Sequence, residues 1–145
     1  MNIRVPSLAA LLGVRPKKTK DFDLFDLADE IGKGLPVEAL SRICALVAPD
    51  DASFRYRIVP KATLARRQRN ARRLTRDESD RLVRLARIWA FAMDLWKSEP
   101  AAQRFLAKPH PLLAGRVPRE FTLESEIGAR EVEELIGRAK YGIPT

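Results

Sequence analysis

The stretch from Thr75 to Trp96 constrains this chain more than any other. Thr75-Arg-Asp-Glu78 has the form of a capping box, in which the Thr hydroxyl and the Glu carboxylate satisfy reciprocal backbone N–H groups, and it stands just before Leu82. Beyond it, Leu82, Leu85, Trp89, Ala92 and Trp96 recur at helical spacing as one stripe, while Ile88, Phe91 and Leu95 form a second. A helix that is apolar on two sides has to be covered on both. The segment is therefore either the spine of the fold or a contact with a second copy of the chain.

The rest reads as short helices punctuated by proline and glycine, and the expected fold class is all-α. Residues 1–34 read as a basic N-terminal arm and a weak helix. Ser7 to Leu12 is a short apolar turn of helix ending at Gly13, and Asp21 to Ile31, with Phe22, Phe25 and Leu24 or Leu27 apolar, stops at Gly32-Lys-Gly34. Pro36 opens a helix that runs to Ala48, where Pro49 terminates it. Phe54, Tyr56 and Ile58 alternate as in a strand, but a lone strand has no partner, so a short or distorted helix is expected over 50–59. Pro60 then starts a basic helix. Further helices are expected over Ala101–Ala107 and Gly128–Lys140, with a loop at Leu112–Pro118 and one helical turn at Arg119–Leu123. Gly142 and Pro144 stop the last helix.

Charge is what separates these helices functionally. Residues 52–76 hold nine cationic side chains and no acid, which exceeds the net charge of +8 for the whole chain. The first 20 residues add five cations without an acid, whereas residues 21–51 hold eight acids against Lys33 and Arg42, and residues 77–145 balance eleven acids with eleven bases. A basicity this local implies a polyanionic partner. On the basic helix Thr63, Arg66, Arg67 and Asn70 share one face, with Leu64 and Ala71 on another, and Lys61, Arg69 and Arg73 add charge. A helix, a short connecting helix and a basic helix within some 35 residues is the helix-turn-helix arrangement. Arginines would bind phosphates, and Thr63, Arg66, Arg67 or Asn70 would reach base edges. A single such unit reads few base pairs, so a homodimer on a two-fold site is expected.

Other chemistry finds little footing. The single Cys44 permits no internal disulfide, and the single His110, in Lys108-Pro-His-Pro111, reads as a turn residue without companions for a metal. Cys44 shares a helical face with Val37, Leu40 and Val47 and reads as a small buried hydrophobe. There is no Gly-x-Ser-x-Gly elbow, glycine-rich phosphate loop or His-Glu-x-x-His helix, and Glu131, Glu133 and Glu134 beside Arg130 and Arg138 look like a solvated face. No enzyme activity, cofactor or metal is expected. With 46% hydrophobic and 32% charged residues the chain reads as globular and cytoplasmic, since no run approaches the roughly 18 apolar residues of a membrane span.

Four runs, in order, resemble one known family. Thr63-Leu-Ala-Arg-Arg67, Glu78-Ser-Asp-Arg-Leu-Val-Arg-Leu-Ala-Arg-Ile88, Phe105-Leu-Ala-Lys-Pro-His-Pro-Leu-Leu113 and Glu126-Ile-Gly-Ala-Arg-Glu-Val-Glu-Glu-Leu-Ile-Gly-Arg138 with Tyr141-Gly142 closely resemble the Xre/MbcA/ParS antitoxins, from about Leu35 to the end. The sequence departs from the commoner pattern at Phe105, where Trp is frequent, at Ala114, where a second Gly is frequent, and at Arg119-Glu-Phe-Thr-Leu123.

The resemblance implies an N-terminal helix-turn-helix, residues 35–74, that binds operator DNA and represses its own operon. It implies a helical domain over 75–145 for dimerisation and for binding a RES-domain toxin that consumes or transfers ADP-ribose from NAD. Arg138, Lys140 and the tail Tyr141, Gly142, Ile143, Pro144 and Thr145 would then form the inhibitory contact at the toxin's NAD pocket. The residues agree on one point: an apolar pair, Tyr141 and Ile143, beyond a glycine stop calls for something to cover it, either the partner's cleft or the chain's own domain. A free-standing transcriptional regulator without a toxin remains the alternative.

Overall fold

The computed structural model describes residues 5–14 and 23–140. These residues form eight α-helices: α1 (Val5–Leu12), α2 (Leu24–Lys33), α3 (Val37–Val47), α4 (Lys61–Arg69), α5 (Arg76–Trp96), α6 (Glu99–Ala107), α7 (Pro118–Glu124) and α8 (Glu126–Lys140). Two 3₁₀ turns, Phe54–Arg57 and Pro111–Leu113, complete the architecture, and no strand occurs among the described residues. The ambiguous 50–59 segment is thus a short, tight helix. No described helix is long and apolar enough to cross a membrane.

α5 is the spine. The Thr75 hydroxyl accepts the Glu78 N–H at 3.2 Å and Glu78 returns the bond to the Thr75 N–H at 2.8 Å, so the capping box forms as the sequence predicts. From the N-terminal part α1, α2 and α3 pack on α5, and from the C-terminal part α6, α7 and α8. Leu82, Leu85, Ile88 and Ala92 are fully buried, and Trp89 and Phe91 nearly so. Each large side chain so buried contributes roughly 1.5–3 kcal/mol. Apart from Leu95 and Trp96, both apolar stripes are therefore buried inside one chain, which makes Leu82, Leu85, Trp89 and Ala92 core residues of the spine. Trp96 is half-buried and lies 4.7 Å from the Phe105 ring of α6.

Two expectations for the N-terminal region need correction. α1 is not a loose arm: Leu8, Ala9 and Leu12 are buried in the same core as α3 and α5. On α2, Asp23 caps the helix through a reciprocal bond with Asp26, and that register turns Leu27 inward while Leu24 and Phe25 stand 66% and 80% exposed. Phe22 lies outside the described residues, as does the Lys17–Lys20 run.

The loop before α3 is stapled to the loop that follows the basic helix. The Leu35 N–H donates to the buried Ser79 hydroxyl at 2.8 Å, and the Leu35 carbonyl accepts the Leu74 N–H at 2.9 Å. Gly34, at φ 88, sits so close that a Cβ there would lie 2.0 Å from the Leu74 carbonyl oxygen. Only glycine allows this approach. The start of α3 and the start of α5 are thereby held against one another, with α4 suspended between them.

Candidate functional surfaces

α4 begins where the sequence says it should. Pro60, at φ −54, supplies a preset backbone as its N-cap, and beneath it the 3₁₀ turn buries Phe54 while Ile58 and Val59 fill the bend into the helix. α3, the turn and α4 make the three-element unit expected of a helix-turn-helix. α4 itself buries one side chain, Leu64, and leaves Lys61, Arg66, Arg69 and Asn70 exposed, with Thr63 half-buried. The helix ends at Arg69. Asn70 is its C-cap and Ala71 has φ 51, so Ala71 leaves the helix and is exposed instead of sharing a buried face with Leu64.

Two of the expected DNA-contacting arginines are engaged elsewhere. Arg67 forms an ion pair with Glu78, the same carboxylate that caps α5, and both side chains are largely buried. Arg73 donates to the Gly34 carbonyl at 3.1 Å. These bonds hold the α4–α5 connection rigid. The effect is to gather Arg66, Arg67, Asn70, Arg72, Arg73 and Thr75 around an open recess of about 440 Å³ that no carboxylate lines. On this concave surface the Arg66 and Arg72 guanidinium groups, flanked by the anchored Arg67 and Arg73, suit phosphate oxygens, which arginines bind through charge-assisted and often bidentate hydrogen bonds.

At the other end, α8 is clamped to α5 by an ion pair at each terminus. Arg87 reaches Glu126 at 2.7 Å, and Lys140 reaches Asp94 at 2.5 Å. The Lys140 and Lys97 ammonium groups at Asp94 hold its carboxyl below the usual carboxylate range. α7 lies along α8 at a close approach, since a Cβ on Gly128 would meet the Phe121 carbonyl oxygen at 2.1 Å. Arg138 is exposed on the last turn of α8. Tyr141, Gly142, Ile143, Pro144 and Thr145 lie outside the described residues.

Residues 26–87 match the family model of the antitoxin Xre-like helix-turn-helix domain, and residues 91–142 match that of the antitoxin Xre/MbcA/ParS C-terminal toxin-binding domain. A protein named antitoxin Xre from Yersinia enterocolitica is 33% identical over 119 residues, covering 81% of this chain and 80% of that protein. The chain belongs to the Xre/MbcA/ParS antitoxin family. Relatives of the same name from Photorhabdus laumondii (31% identical, 78% of this chain, 77% of the relative) and Pseudomonas putida (38%, 57% and 51%) agree.

Within the Xre/MbcA/ParS match, α5 begins in the helix-turn-helix part and ends in the C-terminal part, so the two parts share one core and are divided by their surfaces. The positions that depart from the commoner family pattern have distinct surroundings. Ala114 adopts φ 54, a left-handed conformation in which glycine is unstrained, directly before Gly115 at φ 81. Phe105 packs between Trp96, at 4.7 Å, and His110, at 6.1 Å. His110 is a turn residue as expected, its Nδ1 accepting the Leu112 N–H at 3.1 Å. Cys44 is buried, and desolvation pushes its thiol up to about 11, partly countered by Arg55.

Sequence reasoning missed Arg119. Its side chain is 10% exposed, its Nη1 donates to Asp50 at 3.0 Å, and its Cζ stands 5.2 Å from the Phe54 ring centroid. The Arg119 hydrogen bond holds the Asp50 carboxyl below the usual range. Nothing local in Arg119-Glu-Phe-Thr-Leu123 marks it, because its partners lie 69 residues away.

Proposed function

We propose that this chain is the antitoxin of a type II toxin-antitoxin pair, neutralising a RES-domain, NAD-consuming toxin and repressing its own operon. The DNA half of the reading is carried by the acid-free arginine recess beside α4. Lys61, Thr63, Arg66, Arg69 and Asn70 meet DNA directly, with Arg67 and Arg73 anchored at the rim of the recess. Their charge gives affinity to any phosphate backbone, and the exposed polar groups of α4 read base edges. Because the apolar stripes of α5 are spent in the core, the second copy needed for a two-fold site joins through another face.

The toxin half rests on the family's C-terminal toxin-binding domain and on the direction of α8. Clamped at both ends, α8 presents Arg138 and Lys140 at the point where Tyr141 to Thr145 begin. In this reading Tyr141 and Ile143 enter the toxin's NAD pocket and exclude the substrate by occupying it, with Arg138 and Lys140 at its mouth. Co-expression with the adjacent gene tests it. Full-length antitoxin is expected to sustain growth and cellular NAD, and a chain ending at Lys140 to lose protection while keeping its DNA binding. Retained protection by the shortened chain would overturn the assignment of the tail.

A further inference from the structure

α7 belongs to the toxin-facing half, yet two adjacent side chains of its first turn are committed to the other half. Arg119 is pinned between the Asp50 carboxylate, at 3.0 Å, the Asp51 carboxylate, at 4.0 Å, and the face of Phe54. Glu120 accepts Arg57 at 2.7 Å. Asp50, Asp51, Phe54 and Arg57 lie on one short segment, the end of the α3 loop and the 3₁₀ turn. That segment runs through the buried Ile58 and Val59 straight into Pro60, the N-cap of α4. On its other flank α7 lies against α8 at the Phe121–Gly128 approach, where a Cβ on Gly128 would meet the Phe121 carbonyl oxygen at 2.1 Å.

The segment is held in depth by the buried Phe54, Ile58 and Val59 and by its packing on α3, and Tyr56 lies beneath the Lys61 ammonium of α4. Asp50 and Arg57, exposed on its outer side, add ties to Arg119 and Glu120 of α7. A helix displaced by a fraction of an ångström at its N-cap misplaces every base contact along it, while leaving non-specific phosphate attraction nearly intact.

We propose that α7 is a strut and that Arg119 and Glu120 are positioning residues for DNA reading, supplied by the toxin-facing half. Through them the placement of α7 sets the angle of α4. The inference rests on the proposed DNA-reading role of α4.

The test uses the full chain and two duplexes of equal length, the sequence immediately upstream of the gene and a scrambled version, titrated by fluorescence anisotropy. Asp50→Asn with Asp51→Asn removes the Arg119 partners from an exposed loop. The expected result is a loss of about ten-fold in preference for the upstream duplex, and Glu120→Gln shifts preference less, in the same direction. Simple electrostatics makes the opposite forecast, since deleting two carboxylates beside a cationic head tightens both duplexes and leaves their ratio unchanged. An unchanged ratio in folded protein, verified by circular dichroism, overturns the strut, as does a lowered melting temperature with no change in preference. Arg119→Lys, which keeps the charge and loses the planar fork, is expected to retain only part of the preference. A wild-type chain that shows no salt-dependent DNA binding refutes the DNA reading itself, an outcome distinct from failure of the strut.

Discussion

α4 buries one side chain along nine residues, whereas α5, which begins seven residues after it ends, buries nine along 21. The first helix is held by Leu64, by the Arg67–Glu78 pair and by the segment that enters it; the second is held by nearly every helix around it. A helix that must offer its side chains to a partner cannot spend them on its own fold. It therefore borrows its position from neighbours: from Glu78 in front, from Leu35 and Ser79 beside its exit, and from the 50–59 segment behind. The position of α4 thus rests on residues outside its exposed face.

The contrast is broken most severely from the α5 side. Leu85→Ala empties a fully buried position in the spine and is expected to cost about 2–5 kcal/mol. For a chain of this size that lowers the melting temperature by on the order of 10 °C. DNA affinity measured well below the melting point is expected to stay within about two-fold, as the mutation is remote from α4. Loss of DNA binding at unchanged stability would show that α5 is part of the reading surface.

Adjacent arginines on α4 supply a sharper version. Arg67→Ala strips the largely buried Glu78 carboxylate of its partner and is expected to destabilise by about 2 kcal/mol, below the full buried-pair loss because the site retains some solvent. Arg66→Ala, one residue away and exposed, is expected to change stability by less than about 0.5 kcal/mol. It should instead reduce the slope of log K against log salt by about one, the signature of one lost phosphate contact. Chemical denaturation and a salt titration on both variants separate the two. Equal stability losses, or equal losses in salt slope, would mean that the two side chains do not divide their work as the geometry says.

How much of this was legible in the sequence follows from the range of each interaction. Periodicity and punctuation are local, and so α3, α5 and the end of α2 at Gly34 could be read from neighbours only a few residues apart, whereas over 50–59 the local alternation points to a strand and only the lack of a partner strand points to the short helix observed. The capping box was legible for the same reason, yet the second role of Glu78, as the anchor for Arg67, was not: it depends on how two helices meet. Arg67 and Asn70 share a face on a helical wheel, but a wheel does not show that one turns to Glu78 and the other ends the helix. Arg119 was illegible altogether, since a cation in a mixed-charge run gains its significance only when the fold brings Asp50 beside it. Leu24 and Phe25 failed in the other direction, as apolar residues whose helix register leaves them facing solvent.

The smallest expected effect concerns a residue on neither surface. Ala114 is held at φ 54 by the bond from its N–H to the Pro111 carbonyl, and the next residue, Gly115, is also left-handed. An L-residue in that conformation costs roughly 1–2 kcal/mol relative to glycine, partly offset by the entropy that glycine gains in the unfolded chain. Ala114→Gly is therefore expected to stabilise by about 0.5–1 kcal/mol and to raise the melting temperature by roughly 2–4 °C. Because Ala114 is exposed and lines no part of the arginine recess, toxin neutralisation and DNA affinity should be unmoved. A gain of stability accompanied by altered neutralisation would place the 110–116 turn in the toxin contact, and the division of labour between buried spine and exposed surfaces would have to include it.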